Sequence, residues 1–161
     1  MAALTNDLDL HLIGYANKVG VPCSAADVFY AGAMVFSTAL AEEGATTGCL
    51  PISAASRVFI GIVATQKTTT AAGQFVEVFT DGVFVVPANG AIVAADMGKN
   101  LILDAAVQAT STDNIQDAIV SVAILVTENL IGQILNVDAS GNYSVQLKTN
   151  AGICDIVGWG G

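Results

Sequence analysis

Alternating apolar and polar positions are the main pattern along this chain, and they predict short β-strands separated by turns. The pattern predicts strands over residues 28–38, 57–65, 74–80, 83–86, 101–104, 119–127, 130–137 and 143–148. We therefore expect a mostly β fold, a small β-barrel or sandwich of about eight short antiparallel strands with at most one or two short helices.

For some strands the sequence also predicts a partner or a position in the sheet. Asp81 and Gly82 separate strands 74–80 and 83–86 and both tolerate positive φ, so they predict a two-residue hairpin. Residues 119–127 are apolar on both faces, which is typical of a central strand covered twice. A helix over residues 112–121 is the alternative there.

The first 27 residues fit more than one element. Leu8, Leu10 and Leu12 alternate with polar residues, as in an extended arm or an edge strand, while Leu8, Leu12, Tyr15 and Val19 have helical spacing. We interpret residues 1–27 as an N-terminal arm that finds its partner surface outside the domain. The alternative is an ordinary first strand of the core.

Length and composition support one folded domain. The 161 residues are 53% hydrophobic and 12% charged, which is enough apolar material for a core and does not fit a disordered chain. We divide the chain into the arm, a β-rich domain over residues 28–150 and a C-terminal tail over residues 151–161.

The charge balance narrows the choice of partners. Five basic and fourteen acidic residues give a net charge of −9, which repels phosphate backbones and anionic lipid. We expect no nucleic-acid partner and no membrane. No targeting signal or spanning segment is evident, which indicates a soluble protein made in the cytoplasm.

Candidate chemistry is sparse. Cys23, Cys49 and Cys154 are widely spaced, so we expect buried reduced thiols, and a zinc site of these cysteines with His11 lacks the close ligand pairs of such sites. His11 is the only histidine and no nucleophile motif accompanies it. We expect no catalytic residues, no metal and no cofactor, and hence no enzyme.

Three acidic or glycine-containing motifs have simpler explanations. The carboxylate pairs, at 7/9, 42/43 and 113/117, lie in predicted turns or in the arm, where solvated acids are usual. Gly98 and Lys99 lack the spacing of a phosphate-binding loop. Residues 138–142 lack the final acidic ligand of a calcium loop, so we interpret them as a β-turn.

One succession of segments is more specific. It consists of Phe59-Ile60-Gly61-Ile62-Val63, Thr70-Ala71-Ala72-Gly73, Val76-Glu77-Val78, Asp81-Gly82-Val83-Phe84, Ala88-Asn89-Gly90-Ala91-Ile92-Val93, Leu130-Ile131-Gly132-Gln133-Ile134 and Tyr143-Ser144-Val145-Gln146-Leu147. Over residues 30–148 this succession resembles the capsid decoration (cement) proteins of tailed bacteriophages.

The resemblance implies a virion structural protein on the capsid exterior, synthesised in the host cytoplasm. Its implied partners are the major capsid protein and itself, as a homotrimer, and the family has no catalytic residues. The residues that we assign to capsid or subunit contact are Leu4, Leu8, Leu10, Leu12, Tyr15 and Trp159, with Trp159 alternatively capping one end of the barrel.

Two other function classes stay open. A fibre, tail or adhesin domain that contacts a host surface ligand is the first alternative, although aromatic residues form only 6% of the chain. A trimeric β-barrel hydrolase with a shared active site is the second, and it lacks a convergent set of base, nucleophile and metal ligands.

Overall fold

The predicted fold class, mostly β, is confirmed, whereas the predicted number of about eight strands is too low, since the described residues form thirteen short ones. The structure, a computed structural model, describes residue 4 and residues 6–37, 49–51, 58–102, 115–121 and 130–148. It is mostly β, with several antiparallel sheets that fit a small β-sandwich. The helices in these described ranges are two short 3-10 turns, Ala94–Asp96 and Ile115–Asp117.

Thirteen strands lie in the described residues. They are β1 (His11–Ile13), β2 (Lys18–Pro22), β3 (Val28–Phe29), β4 (Met34–Ser37), β5 (Cys49–Pro51), β6 (Val58–Val63), β7 (Lys67–Thr68), β8 (Phe75–Phe79), β9 (Val83–Val86), β10 (Asn100–Ile102), β11 (Ile119–Ser121), β12 (Leu130–Val137) and β13 (Tyr143–Leu147).

The strands form three antiparallel sheets. A six-stranded sheet has the order β1-β9-β13-β12-β10-β11, a five-stranded sheet has the order β2-β8-β6-β4-β5, and β3 pairs with β7.

The two large sheets repeat one topology. In chain order, β2, β4, β5, β6 and β8 correspond to β9, β10, β11, β12 and β13, and the spatial orders β2-β8-β6-β4-β5 and β9-β13-β12-β10-β11 are then the same. We call these two sets of strands the first repeat and the second repeat. β1 is an additional strand that pairs with β9.

An irregular register recurs at the same place in both repeats. β4 pairs with β6 so that Val35 faces Gly61 and the next residue skips Ile60. β10 pairs with β12 so that Leu101 faces Gly132 and the next residue skips Ile131. Such a bulge bends the strand locally and changes which side chains face the core.

The main core lies between the two large sheets. Phe59 and Ile62 of the five-stranded sheet join Leu101, Ile131 and Tyr143 of the six-stranded sheet in one buried cluster. Burying one such side chain stabilises the fold by roughly 1.5–3 kcal/mol. This cluster is why the repeats form one unit.

A second core covers the other face of the five-stranded sheet. Val35, Val63 and Val78 pack there with Phe29 of β3 and with Cys23. The five-stranded sheet is therefore apolar on both faces, as expected for a covered layer.

The predicted hairpin at Asp81 and Gly82 is wrong. β8 pairs with β2 and β6, whereas β9 pairs with β1 and β13, so the chain passes here from one sheet to the other. Gly82 has a φ of 109°, and a side chain on it would contact Ala16 at 2.7 Å. The glycine therefore serves a close crossing of two chain segments.

Two other predicted strands differ from the structure. The strand over residues 28–38 is divided into β3 and β4, because Gly32 adopts a φ of 83° between them. The strand at residues 119–127 is described only over β11, which pairs with β10 at the end of its sheet. β10 is its one partner among the described residues, so the central position stays a prediction.

The segment interpreted as an arm is paired within the domain. Among the strands that the structure describes, β1 and β2 lie at one end of the six-stranded and five-stranded sheets. These pairings correspond to the alternative of an ordinary first strand, because the leucine alternation that fits an arm also fits a sheet edge. The tail, residues 151–161, lies outside the described residues.

Candidate binding surface

The N-terminal segment lies across the first repeat. The backbone N–H of Leu8 donates to the carbonyl oxygen of Ala31 at 2.9 Å, and the N–H of Ala31 donates to a carboxylate oxygen of Asp7 at 2.9 Å. Leu8, Leu10 and Leu12 are half-buried and pack against the main core. Leu8, Leu10 and Leu12 thus cover part of the main core of their own domain, and we call these three residues the cover.

A cavity of ≈ 200 Å³ lies beneath this cover. The three leucines line it together with residues that include Ile62, Phe79 and Phe84, and all of its lining side chains are apolar. Such a space has no polar side chain to orient a substrate, so it offers packing and not chemistry.

The structure separates the six predicted contact residues. Leu4, Leu8, Leu10 and Leu12 are half-buried, and Tyr15 is 98% exposed. Trp159 lies outside the described residues. Of the five described residues, Tyr15 is thus the one whose whole side chain faces solvent.

Tyr15 lies on a two-stranded ribbon that belongs to both sheets. Residues 11–13 pair with 83–85, and residues 18–22 pair with 75–79, so the same two chain segments run side by side through the corner. At the corner, Asn17 donates to the Asp81 carboxylate through its backbone N–H at 2.6 Å and through its side-chain amide. This clamp fixes the turn that presents Tyr15.

The outward face of the ribbon carries a second exposed aromatic residue. Phe75 is 65% exposed, and its ring lies over Gly20, where a side-chain carbon would be 3.3 Å from it. The sequence analysis did not select Phe75 as a candidate. The available signal was its alternation with Val76 and Val78, which are buried.

The charges on this face are few. The ammonium of Lys18 is 4.0 Å from the Glu77 carboxylate and 5.5 Å from the centre of the Phe79 ring. Both partners of the ion pair are about half exposed or more, so it contributes only about 0–1 kcal/mol. Beside this weak ion pair, Phe75 is the exposed apolar side chain of β8.

Two acidic side chains have perturbed ionisation. The hydrogen bond from Lys99 at 2.9 Å, aided by the backbone N–H of Val93, holds the pKa of Asp96 below its ordinary value. The side-chain amide of Asn142 is the main cause that lowers the pKa of Asp138. Both carboxylates act as local structural acceptors.

These contacts account for two motifs of the sequence. Lys99 pairs with Asp96, and Asp138 accepts backbone N–H groups of Ser140 and Asn142 at 2.8 and 3.0 Å. Residues 138–142 join the paired strands β12 and β13, so the predicted β-turn is confirmed.

The other candidate chemistry is similarly limited. Within the described ranges, no three His, Cys, Asp or Glu side chains form a group that could hold a metal ion. His11 is exposed in β1. Cys23 is a buried free thiol 3.2 Å from the carbonyl oxygen of Ala71, as predicted for that cysteine.

Glu42, Glu43, Asp113 and Cys154 lie outside the described residues, as do the side chains of Cys49 and Asp117. In the part of the chain that the structure does describe, no helix has the length and apolar character to cross a membrane.

Comparisons with protein-family models, with curated proteins and with solved structures found no match to this chain.

Proposed function

We propose that this protein is a virion structural protein that decorates the outer surface of a tailed-phage capsid and stabilises contacts between capsomers. The observation that carries the proposal is the pair of exposed aromatic residues on the ribbon, Tyr15 and Phe75. Aromatic side chains are favoured anchors where a partner removes them from water. The resemblance described from the sequence supplies the kind of partner.

The charge of the chain supports the same proposal. A net charge of −9 disfavours binding to packaged or free nucleic acid and limits association between decorated particles. Apolar contacts through the ribbon would then hold each subunit to the major capsid protein. Several subunits linked as a homotrimer would bind with avidity, which reduces the affinity that each contact must provide.

Co-sedimentation with undecorated phage heads tests this proposal. The purified protein should bind saturably at a fixed copy number per shell, and light scattering should give the mass of a trimer in solution. The double variant Tyr15→Ala, Phe75→Ala should bind more weakly, because it lacks both proposed anchors. Its fold should be unchanged, because both side chains are exposed and lie outside the core. Protein that stays in the supernatant as a monomer would contradict the proposal.

The second candidate function is a fibre, tail or adhesin-type domain. The same exposed rings favour it, because aromatic faces also stack on sugar rings. Saturable binding of the isolated protein to defined glycans, without binding to phage heads, would support this candidate over decoration.

A further inference from the structure

The cavity beneath the cover has a buried floor and a half-buried rim. Among the described residues, its floor consists of the buried Gly32, Ile62, Val63 and Phe84, and its rim consists of the half-buried Ala31, Ala64, Phe79 and the cover. The floor is therefore shielded from water, while the rim reaches solvent.

Backbone polar groups along the cavity are already engaged. The N–H of Gly32 donates to the carbonyl oxygen of Val63 at 2.9 Å, and the N–H of Val63 donates to Ala33 at 2.9 Å. The N–H of Ala64 donates to the carbonyl oxygen of Glu77 at 2.9 Å. A buried water molecule typically makes about three hydrogen bonds. Apolar side chains and engaged N–H groups offer it few, so this cavity suits an apolar occupant better than water.

The volume of the cavity is large for a space without an occupant. Protein interiors contain few voids larger than a water molecule, because atoms around an empty space lose their packing contacts. An engineered cavity of about 150 Å³ lined by Leu, Ile and Phe stays dry and binds benzene or xenon. The cavity beneath the cover has the same kinds of lining side chains and a volume of ≈ 200 Å³.

The second repeat is polar at the equivalent positions. Gln133 and Gln146 face each other there, as Ile62 and Phe79 do in the first repeat. The side-chain amide of Gln133 donates to the carbonyl oxygen of Gly98 at 2.9 Å. The shared topology therefore does not by itself produce an apolar cavity, and the side chains of the first repeat do.

Two acidic side chains lie beside the cover. The Asp7 carboxylate accepts a hydrogen bond from the N–H of Ala31 at 2.9 Å, and Asp9 is exposed between Leu8 and Leu10. An anionic ligand would be repelled by these carboxylates and would lose its hydration against apolar side chains. The cavity therefore favours an uncharged molecule.

We propose that this cavity is a binding site for a small uncharged apolar molecule, with the size of a benzene ring or a short alkyl chain. The molecule would contact the inner side of the cover together with Ile62 and Phe84. Because it adds contacts between the cover and the core, its binding would hold residues 8–12 more firmly against the domain. Tyr15 and Phe75 are not lining residues, so the proposal does not depend on capsid decoration.

An NMR titration of the full-length protein with benzene tests the proposal. With ¹⁵N and methyl-¹³C labels, we expect saturable shifts at Gly32 and Ala64, and nuclear Overhauser effects between the ring protons and the methyl groups of Leu10 and Ile62. Amide hydrogen exchange at residues 8–12 should slow when benzene is bound. Benzoate, which adds a negative charge to the same ring, should bind at least about tenfold more weakly.

Two variants reduce the space in the cavity. Ala64→Leu and Ala31→Met each introduce the residue that the second repeat has at the equivalent position, Leu135 and Met97. Each should lower the affinity for benzene by at least about tenfold, because the added atoms take the space of the ring. Ala72→Leu, an exposed residue between β7 and β8, is the control and should leave the affinity unchanged. Amide spectra identify the variants that fold, and one folded variant of the cavity is sufficient.

Three results would overturn the proposal. They are the absence of saturable shifts around the cavity, benzene binding that the folded cavity variants leave unchanged, and benzoate binding as tight as that of benzene. The first would show that the chain itself fills this space, and the second would place the benzene elsewhere on the protein.

Discussion

The two repeats share strand order, bulge and a loop with a glycine of positive φ, Gly32 before β4 and Gly98 before β10. The side chains of these two loops are buried in different ways. The first repeat has small residues at its loop, Ala31 and Ala64, and the N-terminal segment covers them. The second repeat has Met97 and Leu135 at the same positions, and both are half exposed. The same backbone topology therefore holds different loop side chains, and these differ in how far they are buried.

Substitution of the glycines at the two bulges, Gly61 and Gly132, should have the largest effect on stability and tests whether the two bulges are equivalent. A side-chain carbon at Gly61 would overlap the carbonyl oxygen of Phe79, and one at Gly132 would overlap that of Gln146. Gly61→Ala and Gly132→Ala should each lower the free energy of unfolding by about 3 kcal/mol, because neither strand can move without breaking its pairing. Urea denaturation measures both.

Gly20→Ala is the matched control for these two variants. It is also a strand glycine, but its new methyl group would meet only the exposed ring of Phe75 at 3.3 Å. Its effect should stay within about 0.5 kcal/mol. A large loss for one bulge glycine and none for the other would break the equivalence of the repeats.

Removal of one leucine that covers the cavity should lower stability and loosen the strands next to that cavity. Leu10→Ala should cost about 1–2 kcal/mol, less than a fully buried leucine, because the side chain is half-buried over the cavity. Hydrogen exchange should then increase at β4 and β6. Tyr15→Ala, in the same segment but exposed, should change stability by less than about 0.5 kcal/mol; equal losses would contradict the cover.

The smallest expected effect is a loss of stability at low pH, caused by protonation of Asp138 in the second repeat. The pKa of Asp138 is lowered in the folded protein, so its stabilisation is present above the ordinary pKa of 3.8 and is lost as pH falls through the native pKa. Asp138→Asn should therefore melt below the unaltered protein at pH 6, and this difference should shrink below pH 3.8.

The matched turn of the first repeat provides the control. There the backbone N–H of Thr70 donates to the neutral side-chain oxygen of Gln74 at 2.8 Å. Gln74→Ala should destabilise the protein by the same amount at pH 6 and at low pH. A difference for Asp138→Asn that persists unchanged in acid would show that ionisation of Asp138 is irrelevant.

Local pattern predicted individual strands well and their partners poorly. β9 and β12 begin and end at the predicted residues, because apolar alternation and flanking turn residues are local signals. The change of sheet between β8 and β9 was missed, since Asp81 and Gly82 encode a bend without encoding which strands lie beside it. Pairing depends on residues such as Asn17, far away in sequence.

The repeated topology was not evident in the sequence for a related reason. Equivalent positions hold different residues, such as Ala31 and Met97, while the matched residues are few and include Gly32 with Gly98 and Gly61 with Gly132. Backbone requirements preserve glycine, whereas side-chain packing tolerates many apolar residues. The assignment of Tyr15 to a contact stays a prediction, and the exposure of Phe75 is a property that alternation alone does not give.

The corner at Asn17 and Asp81 has a mechanical consequence. Both chain segments of the ribbon continue from one sheet into the other, so the two sheets are joined by a pair of covalent backbones as well as by their shared core. Tension that pulls the sheets apart would load these backbones along their length. Slippage of one past the other would require several interstrand hydrogen bonds to rupture together, and the molecule should resist stretching across this seam more strongly than peeling at its outer edges.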